Sequence, residues 1–95
     1  MENETELFNL QTTIALKQQE SEIKKIKSFI TTDASIIDLR KDVLKSAESQ
    51  LKNGVITASE YITELTKLYE DETTLKTHKI QLALVTANYN ITKGQ

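Results

Sequence analysis

Residues 16–51 read LKQQESEIKKIKSFITTDASIIDLRKDVLKSAESQL, and an apolar residue recurs there at every seventh position. The members of this repeat are Leu16, Ile23, Ile30, Ile37, Leu44 and Leu51. A strict seven-residue apolar repeat is typical of a single long helix in a left-handed coiled coil. Residues 31–35 (TTDAS) are mostly poor helix formers, so a break there is the alternative. The repeat passes through them without a change of phase, which favours continuity.

Composition agrees with long helices and excludes several other classes of protein. The 95 residues include no proline, no cysteine and only two glycines, which argues against all-β, disulfide-bonded and cysteine-ligated metal proteins. A formal net charge of −2 argues against a nucleic-acid partner. No apolar run is long enough for a membrane-spanning helix, and the first ten residues lack the apolar centre of a signal peptide.

The clearest turn signal in the chain is Asn53-Gly54, because both residue types tolerate the left-handed conformation that ends a helix. Thr57 and Glu60 then have the spacing of a capping box, which predicts that a second helix opens there. So short a turn requires the second helix to return antiparallel to the first. We therefore predict an all-α fold, one long antiparallel helical hairpin, divided into a heptad helix (1–53), a tip turn (54–57), a return helix (58–92) and a tail (93–95).

The apolar residues of the return helix form two seams instead of one. The first seam contains Tyr61, Leu65, Leu68, Leu75, Leu82 and Tyr89. The second, rotated around the helix axis, contains Ile62, Tyr69, Ile80, Ala83, Ala87 and Ile91. Two seams predict two sets of neighbours, of which the first helix is one. At 1.5 Å per residue the first helix is about 75 Å long, so we expect a rod that associates with further helices.

Upstream of the repeat, Leu7, Leu10 and Ile14 have helical spacing in a different phase, which predicts a register shift or a frayed end near residues 14–16. The lone histidine, His78, is expected at the surface or in a seam. The tyrosines Tyr61, Tyr69 and Tyr89 are expected to pack with their hydroxyls at the rim. We find no catalytic, cofactor-binding or metal-binding set of residues, so the chain is not expected to be an enzyme.

The stretch from Ala47 to Tyr61 resembles the periplasmic tip of the TolC-like outer-membrane efflux proteins. In that family a long helix ends in a glycine, with a threonine three residues later and an acidic residue six residues later. Here these positions are Gly54, Thr57 and Glu60. The runs IIDLRKDV (36–43) and LALVTANY (82–89) are also similar to the family. The resemblance extends over nearly the whole chain, most firmly from Ile36 to Gly94.

The resemblance implies that this chain is a fragment, one periplasmic tunnel hairpin of a homotrimeric outer-membrane duct for multidrug export or type I secretion. It implies a periplasmic adaptor and an inner-membrane pump as partners, and no cofactor. The tip that docks the adaptor would consist of Asn53, Gly54, Val55, Ile56 and Thr57. Glu60 would line the aperture. Some members carry a tyrosine and an arginine where this chain has Leu51 and Ile56, so a polar gate of that kind is not expected.

The alternative to a duct is a stand-alone coiled-coil module for interaction or scaffolding. Both hypotheses predict the same hairpin and uncovered apolar seams. They differ in the surroundings of the chain, because a duct would place this segment in the periplasm beside further hairpins. On either hypothesis we expect the isolated chain to self-associate.

Overall fold

The structure, a computed structural model, describes residues 2–94 and consists of two helices joined by a short turn. Helix α1 is Glu2–Lys52 and helix α2 is Ala58–Gly94. Their side chains meet along almost the full length of α2, which confirms the predicted all-α antiparallel hairpin. Helix α2 includes Lys93 and Gly94, which the sequence had placed in a tail, a difference of the size common at helix ends.

Helix α1 is continuous through residues 31–35, as the undisturbed heptad phase predicted. The hydroxyl of Thr31 donates a hydrogen bond to the carbonyl of Lys27 (3.1 Å), and that of Ser35 donates to the carbonyl of Thr31 (3.2 Å). Such bonds to the carbonyl four residues earlier satisfy a polar side chain within a helix. The poor helix formers are therefore accommodated on the exposed side without a break.

The core is one layer thick and follows the heptad repeat. All six members of the repeat are partly or fully buried, but only four side chains in the described residues fall to 4–6% exposure, namely Ile26, Ile37, Ala47 and Leu68. Phe29, Ile36 and Val43, which flank the repeat, stay exposed because α2 covers only one side of α1. Upstream, Leu7, Leu10 and Ile14 are also exposed, and α1 runs through them as a regular helix.

The register between the helices is constant along the rod. Contacts join Gln19 to Thr92, Asp33 to His78 and Arg40 to Asp71, and each pair is centred between Val55 and Ile56. The molecule measures 78 × 15 × 14 Å. Its radius of gyration is 21.8 Å, against about 12 Å for a compact domain of this length. The hairpin is therefore a rod, as predicted, and most of its surface lies along its sides.

Candidate functional site

The tip of the rod is a helix stop built around Gly54, whose φ is +72°. The N–H of Gly54 donates to the carbonyl of Leu51 (3.1 Å), and the N–H of Val55 donates to the carbonyl of Gln50 (2.8 Å). This pair of bonds is the Schellman motif, which satisfies the last carbonyls of a helix and needs a left-handed residue at the glycine position. The local sequence therefore ends α1 by backbone geometry, without a tertiary contact.

Helix α2 begins with Thr57 as its N-cap. The hydroxyl oxygen of Thr57 accepts a hydrogen bond from the N–H of Glu60 (3.1 Å), and its carbonyl accepts one from the N–H of Tyr61 (3.1 Å). The Glu60 side chain makes no return bond to the Thr57 N–H within residues 2–94, so only half of the capping box is formed. Glu60 is exposed and its carboxylate is left available to a partner.

The five tip residues lie together at one end of the rod. Asn53, Gly54 and Thr57 are exposed, and Val55, at 69%, is the most exposed large apolar residue in the described part of the chain. Ile56 is partly buried and lines a shallow interhelical groove with Glu60 and other side chains. Leu51 is partly buried in the seam. The tip thus presents a small, mainly uncharged surface, with an acidic residue on the adjoining turn of α2.

A largely buried polar contact joins the two helices halfway along the rod. Nδ1 of His78 forms a hydrogen bond with Oδ2 of Asp33, and both side chains are largely buried. The Phe29 ring lies against the imidazole, with the ring centroids 5.3 Å apart. His78 is therefore a seam residue, one of the two positions expected for it. Its surroundings contain no second histidine and no cluster of metal-binding side chains among the described residues.

The Asp33–His78 contact is one of three similar pairs, which we call the polar rungs. Seven residues towards the tip, Nε of Arg40 donates to Oδ2 of Asp71 (2.9 Å). At the far end, Nε2 of Gln19 donates to the hydroxyl of Thr92 (3.2 Å). The α1 members follow a heptad column that also contains Ile26 and Ala47.

The polar rungs were not predicted from the sequence, because an apolar repeat does not indicate which polar residues meet across the hairpin. A signal was present, since polar residues recur at a fixed heptad position in each helix. In α1 these are Gln19, Asp33 and Arg40, and in α2 they are Glu64, Asp71, His78 and Thr92. The antiparallel register places Asp33 against His78, Arg40 against Asp71 and Gln19 against Thr92. Chemically, the rungs can orient helices, but they contain no activated nucleophile.

Two tyrosines close the edges of the seam. The Tyr61 hydroxyl donates to Oε1 of Glu48 (3.3 Å), and the Tyr89 hydroxyl donates to Oε1 of Glu20 (2.8 Å). Desolvation, followed by the negative charge of Glu48, raises the pKa of Tyr61 above its usual value of 10.0. The hydrogen bond to Glu20, followed by desolvation, raises the pKa of Tyr89 in the same direction. Both hydroxyls lie at the rim, as predicted.

The second seam of α2 faces away from α1 and is uncovered. Its large members and the adjacent Leu84 are each 57–62% exposed, and we call this set the outer seam: Ile62, Tyr69, Ile80, Leu84 and Ile91. At 100° per residue these five side chains lie within a sector of about 60°. The first seam, by contrast, is partly or fully buried against α1. The predicted division of α2 into a covered and an uncovered apolar seam is therefore observed.

No family model matches the chain, and no curated protein and no solved structure matches it either. Within residues 2–94, neither helix combines the length and the apolar content needed to cross a membrane. The tip and the outer seam are two surfaces of the described hairpin that are open to a partner.

Proposed function

We propose that this hairpin is part of the wall of a TolC-like export duct, with its tip directed at a periplasmic adaptor. The observation that carries the proposal is the two-sided apolar character of α2. One seam packs on α1, and the outer seam has no partner in the hairpin. A wall element needs a neighbour on either side, whereas a hairpin that stays monomeric gains no stability from a second apolar seam.

In the proposed duct the hairpin is part of a passive wall and performs no covalent chemistry. Three copies of the full-length protein would enclose a water-filled path through the periplasm and outer membrane, supplied by an inner-membrane pump. The tip residues 53–57 would contact the adaptor, and Glu60, exposed one turn further along α2, would line the aperture. Opening would be a shift of helices at the tip. Because Leu51 packs in the seam and Ile56 is apolar, we assign no polar gate to these positions.

Two further properties support a docking role for the tip. The Schellman motif and the Thr57 cap fix its backbone through local hydrogen bonds, so a partner meets a preorganised surface. Val55 is 69% exposed at the end of the rod, where an apolar side chain contributes nothing to the hairpin core. The alternative function, a stand-alone coiled-coil module, uses the sides of the rod and assigns no role to Val55.

The test is site-specific photocrosslinking in cells of the source organism, with a benzophenone amino acid at Val55 of the natural gene product. The matched control is Leu84, which is exposed to a similar degree (62%) and lies about 40 Å from the tip along α2. We expect Val55, and not Leu84, to capture a protein that mass spectrometry identifies as a periplasmic adaptor. Capture of cytoplasmic proteins, or of no adaptor at either position, would overturn the proposal.

A further inference from the structure

The rod exposes more surface than a compact monomeric protein of the same mass. The accessible surface of residues in the structure totals 7280 Å², whereas a monomeric protein of 10.8 kDa exposes about 5,500 Å². The excess is about 1,700 Å² per chain. Stable interfaces bury about 800 Å² on each partner, so one further helical contact along the rod falls within this excess.

Four of the five members of the outer seam are spaced symmetrically along α2. Ile62 and Ile91 lie at its two ends, and Tyr69 and Leu84 lie seven residues inside them. The midpoint of both pairs falls between Lys76 and Thr77. A second α2 in the opposite direction would therefore place Ile62 against Ile91 and Tyr69 against Leu84, each twice.

The charges of α2 are divided about the same midpoint. Residues 58–76 contain five acidic side chains and two lysines, whereas residues 77–94 contain two lysines and no acidic side chain. A parallel pair of α2 helices would place each half against its own charge. An antiparallel pair places the acidic half against the basic half, and brings Glu72 within about two residues of Lys79 of the second copy on the same side of the seam.

We propose that the free chain forms a twofold-symmetric dimer in which the outer seams of two α2 helices pack antiparallel, with the twofold axis between Lys76 and Thr77. The occupant of the outer seam is thus a second copy of this chain. This inference goes beyond the proposed function. In a duct, a neighbouring hairpin would cover the seam, so the dimer concerns the chain in the absence of such neighbours.

The chain has no cysteine, so single cysteines give an unambiguous test of direction. We compare Thr77→Cys with Thr66→Cys, two exposed threonines on α2, after treatment with a short bismaleimide. In the antiparallel dimer the two copies of position 77 are neighbours, whereas the copies of position 66 are about 31 Å apart along the axis. We expect a covalent dimer from Thr77→Cys alone. Equal crosslinking at both positions would indicate a parallel pair, and none at either would exclude this interface; both outcomes overturn the proposal.

A charge exchange tests the pairing itself by sedimentation equilibrium. Glu72→Lys should weaken the dimer about three- to tenfold, and Glu72→Lys combined with Lys79→Glu should restore it.

Ile80→Glu, near the centre of the seam, should weaken the dimer by more than tenfold while circular dichroism shows an unchanged helix content. If the variant carrying both Glu72→Lys and Lys79→Glu does not regain the dimer affinity of the wild type, the proposed register is wrong. None of these results depends on an adaptor, so the dimer and the proposed function can fail separately.

Discussion

At the scale of single residues, the hairpin depends on one backbone conformation that only glycine adopts without strain. A Cβ on Gly54 would meet no atom within 4 Å, so a substitution there is opposed by the positive φ and not by crowding. We expect Gly54→Ala to lower the free energy of unfolding by about 1 kcal/mol. Gly54→Asn should recover part of this loss, because asparagine tolerates the left-handed region. Thermal and urea unfolding followed by circular dichroism would measure both changes.

The matched control for Gly54 is the second glycine of the chain. Gly94 is helical, has no positive φ and also meets nothing within 4 Å. Gly94→Ala should leave stability unchanged or raise it by a few tenths of a kcal/mol, because alanine has the higher helix propensity. Equal losses at the two glycines would show that the left-handed conformation is not what the tip requires.

The rim tyrosines predict a loss of stability in alkaline solution. Their pKa values are raised in the folded state, so the neutral phenols stabilise the fold fully below the unfolded pKa of about 10. This contribution disappears as the pH rises through the folded pKa, above 10. In thermal melts between pH 8 and pH 11, the variant carrying Tyr61→Phe and Tyr89→Phe should lose less stability than the wild type.

A control tyrosine shows whether removal of any phenol changes the alkaline melts. Tyr69 is exposed on the outer seam, and its hydroxyl makes no hydrogen bond within residues 2–94. Tyr69→Phe should therefore follow the wild-type curve. If all tyrosine variants give superimposable curves, the bonds to Glu48 and Glu20 do not contribute to stability.

At the scale of the helices, sequence periodicity specified α1 almost completely. The six members of the heptad repeat all lie in the seam. The continuous phase of the repeat correctly predicted an unbroken helix through the weak helix formers at residues 31–35. The turn at Asn53-Gly54 was predicted equally well, because it depends on two adjacent residue types and not on a contact with a distant part of the chain. The positions of the helix ends were predicted less accurately, and α2 extends two residues beyond its predicted end.

The polar rungs could not be obtained from the apolar pattern, because each rung is defined by its partner on the other helix. Asp33 alone resembles a surface residue, and His78 alone resembles any solvated histidine. Only the antiparallel register makes them a pair. The exposure of Phe29, Ile36 and Val43 has a similar cause, since an apolar flank is buried only if a third helix covers it.

We expect the central rung to stabilise the hairpin measurably at neutral pH. Asp33→Ala should cost about 1–2 kcal/mol, because it leaves a largely buried imidazole without its acceptor. A double-mutant cycle with His78→Ala should give a coupling of about 1 kcal/mol. A parallel cycle pairing Asp42→Ala with His78→Ala should give none, because Asp42 is exposed and makes no bond to His78. Equal couplings in the two cycles would assign the effect to net charge.

At the scale of the whole molecule, the two helices have unequal lengths, and the register decides which part of α1 lies beside α2. Helix α1 contains 51 residues and α2 contains 37. The register that joins Gln19 to Thr92 brings the end of α2 beside Lys17. The part of α1 before residue 15 therefore extends past α2, and its apolar side chains Leu7, Phe8, Leu10 and Ile14 are about half exposed.

This segment, which extends past the end of α2, should open far more readily than the rest of the rod. An isolated helix of about a dozen residues is marginal in water, and helices in proteins gain most of their stability from packing on a partner. In hydrogen-exchange mass spectrometry, we expect amides of residues 4–14 to exchange at least about tenfold faster than those of residues 26–44, a difference of about 1.4 kcal/mol in opening free energy. The segment from 58 to 68 of α2 serves as the comparison, because it also lies at a helix end but packs on α1, and it should match the slow class. Similar exchange in the segments 4–14 and 26–44 would contradict this expectation. It would indicate that another copy covers Leu7, Phe8 and Leu10, and these residues, instead of the outer seam, would then be the contact between copies.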